Sequence, residues 1–171
     1  NPARWKGHLD VILPAPAKVQ KTEHHAALPY VDMSAFMTDL RQRKGIAARA
    51  LEFTILTATR SGESRGAEWS EIDLASKIWT IPAEHMKAGK EHRIPLSESV
   101  CKLLESTLRV SGTGSRYVFP SLKGSTLSDM TLTAVLRRME RNDITVHGFR
   151  SSFRDWAAET TAFPREVIEH A

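Results

Sequence analysis

Apolar residues recur at helical spacing along most of the chain, and this pattern predicts a helix-rich domain. Residues 46–58 (IAARALEFTILTA) are apolar on nearly every face, which predicts a helix buried at the centre of the domain. An amphipathic helix is predicted from Asp32, which caps it, to about Arg43, with Gly45 ending it. Further helices are predicted at about 62–69, 97–108, 129–139, 145–159 (capped by Thr145) and from Pro164 onward.

In the middle of the chain, the spacing of apolar residues changes from the helical period to the alternation typical of β-strands. Three short strands are predicted at 71–74, 78–81 and 92–96, with residues 88–89 at the turn that joins the last two. A further short strand or extended piece is predicted at 117–119. The sequence therefore predicts a mainly α domain with a small antiparallel β-sheet, an α+β fold.

Residues 1–29 contain four prolines among polar and basic residues. Pro14 and Pro16 favour extended backbone, so this stretch is predicted to be a linker from something upstream. Residues 30–171 are predicted to form one domain. The chain starts without Met and stops at Ala171 inside a predicted helix, so we expect a fragment that is incomplete at its C-terminus.

Composition narrows the class of protein. The chain has 24 Lys and Arg against 20 Asp and Glu, and 41% hydrophobic residues, which exclude a disordered chain and a fibrous repeat. No uncharged apolar run is long enough for a bilayer, and no signal peptide is visible. The single cysteine, Cys101, excludes an internal disulfide and a cysteine-built zinc site, and fits a reducing cytosol. The net charge of +4 permits a polyanionic partner such as DNA without requiring one.

The predicted helix VHGFRSSFRDWAA carries two contrasting faces. Three basic side chains fall within about 60° of one another on one side: His147, Arg150 and Arg154. Three aromatic side chains on the opposite side are predicted to anchor the helix in the core: Phe149, Phe153 and Trp156. The basic face is either solvated or a phosphate site, because guanidinium donors match phosphate oxygens and the imidazole adds an adjustable donor.

Two other segments carry candidate chemistry. Arg60 follows the apolar helix in TATRSGE, and Glu63, three residues later, is predicted to orient and balance it, as an ordinary structural ion pair or as part of a site. Lys87 lies at the predicted hairpin tip in MKAGKEHRIPLS. A lysine there is usually solvated, and it would act only if the tip reached a polyanion.

Two other groups of polar residues are weaker candidates for a functional site. Glu23 with His24 and His25, or His85 with His92, would be metal candidates, but no third ligand has suitable spacing, so no metal is predicted. Three arginines near the end of the helix predicted at 129–139 form either a solvated helix end or contacts to a DNA backbone: Arg137, Arg138 and Arg141.

Taken in order, these segments resemble the catalytic domain of a tyrosine recombinase, in particular a phage, prophage or genomic-island integrase. The resemblance rests on TATRSGE, WSEIDL with IWTIP, MKAGKEHRIPLS and HGFRSSF, and it covers essentially the whole chain. The opening NPARWKGHL is similar to the segment that follows the core-binding DNA domain of such enzymes. The resemblance implies the recombinase catalytic fold, truncated before its C-terminal helices.

The resemblance also implies a mechanism without metal or cofactor. A tyrosine attacks a DNA phosphodiester and leaves a 3′-phosphotyrosyl link, while Arg60 and Arg150 hold the phosphate oxygens. His147 would donate to the same phosphate or help with the tyrosine proton, Lys87 would protonate the leaving 5′-oxygen, and Glu63 would support Arg60. Five further side chains become candidate DNA-backbone contacts: Lys90, Arg137, Arg138, Arg141 and Arg154.

The family's nucleophile would come after Ala171, following a box that VIEHA leads up to, so His170 is not expected to be the family's second histidine. Tyr30 and Tyr117, the chain's two tyrosines, are expected to be structural, and the fragment is expected not to cleave DNA alone. The implied partners are duplex attachment sites bound by a tetramer of the full-length protein. No membrane or small-molecule substrate is implied, and the implied location is the bacterial cytoplasm, associated with the nucleoid.

Three alternatives remain open from the sequence. A DNA-binding module without chemistry would use the same basic residues to grip phosphates, and a type IB topoisomerase would share the chemistry but only relax supercoils. A metal-dependent nuclease would need clustered carboxylates, and near Arg60 the sequence offers only Glu63.

Overall fold

The structure, a computed structural model, describes residues 26–86, 89–111, 114–164 and 167. The helices in these residues are α1 (Met33–Gln42), α2 (Ile46–Thr57), α3 (Ser61–Gly66), α4 (Glu98–Ser111), α5 (Met130–Arg138) and α6 (Gly148–Thr160). The strands β1 (Ile72–Asp73), β2 (Ile78–Ile81) and β3 (His92–Pro95) form an antiparallel sheet in the order β1-β2-β3. The predicted α+β fold is confirmed. Among the described helices, none combines the length and the apolar character needed to cross a membrane.

Helix α2 is the centre of the domain, as its all-round apolar sequence predicts. It packs against α1, α3, α4 and α5, and Leu51 and Phe53 on it are fully buried. The ring of Phe53 lies 4.9 Å from that of Trp79 on β2 and 5.2 Å from that of Phe119. Because both aromatic contacts fix α2 against the sheet and the 117–119 segment, the end of α2 is a rigid base for the residues that follow it.

The predicted bounds of α1, from Asp32 to about Arg43, are confirmed, but the roles predicted for Gly45 and for the Asp32 side chain were wrong. Gly45 does not end α1, which stops at Gln42; with φ of 102° it precedes α2 instead, a conformation that glycine adopts without strain. Asp32 precedes α1, but it lies in a short 3-10 turn and its side chain makes no capping bond.

Two helix starts differ from the prediction. Helix α3 begins at Ser61, before Gly62, because the Glu63 carboxylate accepts the Arg60 N–H, and it ends at Gly66 rather than near Trp69. Helix α6 begins at Gly148, whose N–H donates to the Thr145 hydroxyl at 3.0 Å. Thr145 therefore caps the N–H of the first residue of α6, as predicted, although the helix itself starts three residues after it.

The sheet is shorter than predicted at both edges, since β1 covers Ile72–Asp73 and β3 ends at Pro95. The extended piece at 117–119 contributes one antiparallel bridge, between Glu68 and Tyr117. Trp79 and Ile81 on β2 and Ile94 on β3 are buried. The small sheet therefore closes one side of the core.

Residues at the start of the described chain pack onto α6. Leu28 is 2% exposed, its carbonyl accepts the Ser152 hydroxyl, and the Ala26 carbonyl accepts the Thr145 N–H at 3.0 Å. Residues 26–29 are thus part of the packed domain. Residues 1–25, which hold most of the predicted linker together with Glu23, His24 and His25, lie outside the described residues, as does most of the helix predicted from Pro164.

The aromatic face of α6 is buried only at its start. Phe149 is 4% exposed, as predicted for a core anchor, and its ring lies 5.1 Å from that of Phe36. Phe153 is half-buried, and Trp156, predicted to be a core anchor, is 44% exposed. The prediction for Trp156 was wrong because the buried positions of α6 are Gly148, Phe149, Ser152 and Ala157. Trp156 lies beside that buried stripe, and its ring is 5.9 Å from that of Phe153.

Replacing Glu140 with glycine is expected to stabilise the protein. Glu140 follows α5 with φ of 59°, while the N–H of Arg141 bonds to the Leu136 carbonyl, a helix ending that favours glycine. Removing the Cβ strain is expected to raise the free energy of unfolding by about 1 kcal/mol and Tm by about 2–4 °C. Thermal and urea unfolding measure this. Glu140→Ala, which removes the carboxylate but keeps the Cβ, is the control; an equal gain in both variants would contradict the explanation.

Candidate active site: a basic pocket at the end of helix α2

A buried chain of hydroxyl groups shapes the turn that follows α2. The Thr57 and Thr59 hydroxyls lie 2.9 Å apart, and the Thr59 and Ser64 hydroxyls lie 2.6 Å apart. Ala58 adopts a left-handed conformation with φ of 51°, which ends the helix and reverses the chain. Arg60 then has extended backbone before α3 begins. The turn that carries Arg60 is therefore held by three linked hydroxyl groups, of which those of Thr59 and Ser64 belong to buried residues and that of Thr57 to a half-buried one.

Glu63 holds Arg60 in place. One Glu63 oxygen accepts the Arg60 backbone N–H at 2.9 Å, and the other accepts the guanidinium Nη1 at 2.8 Å. The Glu63 side chain is 8% exposed, whereas that of Arg60 is 50% exposed. The carboxylate thus orients the guanidinium from the protein side and leaves half of it accessible to a ligand.

Arg150 reaches the same turn from α6. Its Nη1 donates to the carbonyl of Ala58, two residues before Arg60. Burial lowers the pKa of Arg150, the positive charge of Arg60 lowers it further, and the Glu63 carboxylate acts in the opposite direction. Both guanidinium groups stay charged at neutral pH, so two like charges lie close together in a partly dry site. An anion placed between them would relieve their repulsion.

The two arginines line one open pocket of about 490 Å³. One group of lining residues comes from the end of α2, the following turn, α3 and α6: Leu56, Thr57, Ala58, Thr59, Arg60, Glu63, Arg150 and Phe153. The other group comes from β3 and the segment before it: Met86, His92, Arg93, Ile94 and Pro95. With three arginines against one carboxylate that is already engaged, the pocket suits an anionic ligand.

The other two predicted catalytic residues, His147 and Lys87, are not among the described residues that line the pocket. His147 directly precedes α6 and is exposed, and it is not among the residues that line the pocket. Lys87 lies outside the described residues; its neighbour in sequence, Met86, lines the pocket. The structure thus brings Arg60, Glu63 and Arg150 together.

The predicted DNA-backbone contacts lie on the surface beyond the pocket. Four of them are exposed and do not line it: Lys90, Arg137, Arg138 and Arg154. Arg141 pairs with Asp143 at 2.7 Å and its guanidinium lies 5.8 Å from the centre of the Phe36 ring. All five remain predicted DNA contacts, and Arg141 already makes these two contacts within the protein.

Sequence reasoning missed two pocket residues, His92 and Arg93. The signal was available, because both lie in the strand that leaves the MKAGKEHRIP hairpin, but His92 was considered only as a metal ligand beside His85. His85 instead bonds through Nδ1 to Glu71 at 2.7 Å. Among the described residues, no group of three or more ligating side chains is arranged to hold a metal.

Both tyrosines of the chain lie outside the pocket. The Tyr30 hydroxyl donates to Glu159 at 2.7 Å, and this bond raises the pKa of Tyr30. Tyr117 borders a different cavity, with the Arg116 guanidinium 5.6 Å from its ring centre.

Comparison with known proteins adds a family. The sequence pattern of the phage integrase family matches residues 30–170. The chain is 37% identical over 120 residues to prophage integrase IntA of Escherichia coli K12, covering 68% of the chain and 29% of that protein. It is 30% identical over 168 residues to the integrase of Enterobacteria phage P4, covering 87% of the chain and 38% of that protein. The chain thus spans well under half of these relatives.

Solved structures share the fold. The XerA recombinase superimposes with a TM-score of 0.69 at 19% identity, over 94% of this chain and 60% of that one. A lambda integrase fragment, solved as a dimer bound to a core site, superimposes with a TM-score of 0.65 at 18% identity, over 88% of this chain and 56% of that one. Both neighbours are tyrosine recombinases, so the catalytic-domain fold predicted from the motifs is confirmed.

Proposed function

Because the chain belongs to the phage integrase family, we propose that its basic pocket holds the DNA phosphate at which strands are cut and rejoined in site-specific recombination. One observation carries this proposal: Arg60 and Arg150, 90 positions apart in sequence, line the same pocket. The partner is duplex DNA that carries attachment sites. Four copies of the full-length protein would assemble on two such sites, in the bacterial cytoplasm at the nucleoid.

The proposed reaction transfers a DNA strand without a cofactor. A tyrosine hydroxyl attacks phosphorus, the bond from phosphorus to the 5′-oxygen breaks, and a 3′-phosphotyrosyl link replaces it. The 5′-hydroxyl of another strand then reverses the step, so the number of phosphoester bonds is conserved. Negative charge grows on the non-bridging oxygens in the transition state, where Arg60 and Arg150 would bind them. Each preorganised donor is worth about 10²- to 10³-fold in rate.

Two proton-transfer roles complete the proposal. Lys87 would protonate the departing 5′-oxygen, because an alkoxide leaves poorly, and a positioned general acid contributes about 10²- to 10⁴-fold. His147 lies three residues before Arg150, a spacing that places both on one helical face. It would therefore donate to the same phosphate or accept the tyrosine proton.

The nucleophile is proposed to come from outside these 171 residues, because Tyr30 and Tyr117 do not line the pocket. The test is covalent trapping on a nicked attachment-site duplex that releases its 5′-fragment after cleavage. Protein extended past Ala171 through its native reading frame is expected to form a denaturant-stable adduct, and the 171-residue chain is expected to form none. An adduct on the 171-residue chain, or adducts that persist in both Arg60→Ala and Arg150→Ala, would overturn the proposal.

A further inference from the structure

Strand β3 borders the pocket along its open edge. Four consecutive residues line the pocket: His92, Arg93, Ile94 and Pro95. Neighbouring side chains in a strand point to opposite faces, so a pocket that touches all four lies along the edge of the strand rather than over one face. In the sheet order β1-β2-β3, strand β3 pairs with β2 on one side and has its other edge toward the pocket.

The register of the sheet decides which backbone groups face that edge. The Leu96 N–H donates to the Lys77 carbonyl at 2.8 Å, on the β2 side. Orientation repeats every second residue in an antiparallel strand, so Ile94 turns its N–H toward β2 as well. The N–H of Arg93 therefore points away from β2, to the edge that borders the pocket.

Arg93 also brings a positive charge to the pocket. Its side chain is exposed, and within the part of the chain that the structure describes no ion pair involves it. The carboxylate that shares the pocket, Glu63, already binds Arg60. A long, exposed guanidinium can turn toward the edge at which the N–H of the same residue points, and the two donors together would form a site for an anion.

We propose that Arg93 forms a second phosphate subsite, which binds the DNA phosphate next to the one held by Arg60 and Arg150. This inference rests on the proposed function. Successive phosphates of one strand advance by only about 3.4 Å along the duplex axis, so a strand whose phosphate is held by Arg60 and Arg150 would carry its next phosphate close to the same pocket, which Arg93 also lines. Ile94 and Phe153 supply apolar surface for the deoxyribose between the two phosphates.

The salt dependence of DNA binding tests the subsite in the 171-residue chain. Fluorescence anisotropy with a short duplex gives the slope of log K against log salt. Arg93→Ala is expected to reduce the magnitude of that slope by about 0.9 and to weaken binding equally for unrelated sequences. Arg93→Lys is expected to keep the slope. Arg109→Ala, which removes an exposed arginine of α4 away from the pocket, is the charge-matched control and is expected to change nothing.

A second measurement counts phosphates directly. In NMR titrations, the trinucleotide TpTpT, with two phosphates, is expected to bind more tightly than TpT, with one. Arg93→Ala is expected to abolish that difference and Arg93→Lys to keep most of it. Equal affinity of the unsubstituted chain for the two probes would overturn the subsite.

The outcomes separate the subsite from the proposed function. If Arg60→Ala and Arg150→Ala lower the salt slope but Arg93→Ala does not, the second subsite is wrong and the proposed function stands. If none of the three variants lowers the slope, the pocket is not a phosphate site and both proposals fall. Circular dichroism melts confirm that each variant is folded before its slope is compared.

Discussion

Replacing Arg150 with alanine is expected to lower the rate of DNA strand cleavage by about 10²- to 10³-fold in protein extended past Ala171. The guanidinium that would bind the charged phosphate oxygens is lost, and so is its bond to the Ala58 carbonyl, which ties α6 to the turn carrying Arg60. Single-turnover cleavage of a nicked duplex measures the rate. In the 171-residue chain, the salt slope of DNA binding is expected to fall by about 0.9.

Two further variants serve as controls for Arg150→Ala. Arg150→Lys keeps the charge but loses the planar pair of donors, so its rate is expected to lie between those of the unsubstituted protein and Arg150→Ala. Arg109→Ala removes a charge of the same type from α4 and is expected to cleave normally. Cleavage by Arg150→Ala at the unsubstituted rate would contradict a catalytic role for this side chain.

Replacing Gly148 with alanine is expected to destabilise the fold by about 1–3 kcal/mol or more. A Cβ at this position would overlap the Ala26 carbonyl oxygen and come within 2.9 Å of Ala27 Cα. Both neighbours are backbone, so no side chain can rotate to make room. The start of α6 and residues 26–28 would have to separate, which breaks the hydrogen bond from the Thr145 N–H to the Ala26 carbonyl. Urea denaturation at constant pH measures the loss.

Gly66→Ala is the matched control for Gly148→Ala. A Cβ at Gly66, the last residue of α3, meets nothing within 4 Å, so its stability is expected to be unchanged or slightly higher. Since α6 also carries Arg150, Gly148→Ala is expected to weaken DNA binding even where it remains folded. Equal stability of the two variants would show that α6 does not approach residues 26–28 as closely as described.

The sequence could predict the elements whose signal is local. The apolar run at 46–58 specifies a central helix whatever surrounds it, and β-branched alternation with its turn specifies the hairpin of β2 and β3. The pairing of Glu63 with Arg60 could be predicted because Glu63 is the third residue after Arg60, a spacing that brings the two side chains together at a helix start.

The features that depend on tertiary contact could not be predicted. Gly148 reads as an ordinary glycine in HGFRSSF, and its role depends on Ala26, more than a hundred residues earlier. From the sequence, Arg93 looks like a polar residue on the exposed face of a strand. Its position at the pocket depends on β3 being the edge strand of the sheet. Trp156 fits the aromatic face by spacing, but spacing does not reveal which positions of that face the core covers, since Ala157 beside it is buried and Trp156 is not.

The most direct test of the shared pocket is a double-mutant cycle on Arg60 and Arg150. The free energy of DNA binding is measured for the 171-residue chain, Arg60→Ala, Arg150→Ala and the double variant at one salt concentration. If both guanidinium groups hold one phosphate, the double variant loses less than the sum of the single losses, with a coupling of about 0.5–3 kcal/mol. Strictly additive losses would mean that the two arginines act at separate places, and the account of the pocket would be wrong.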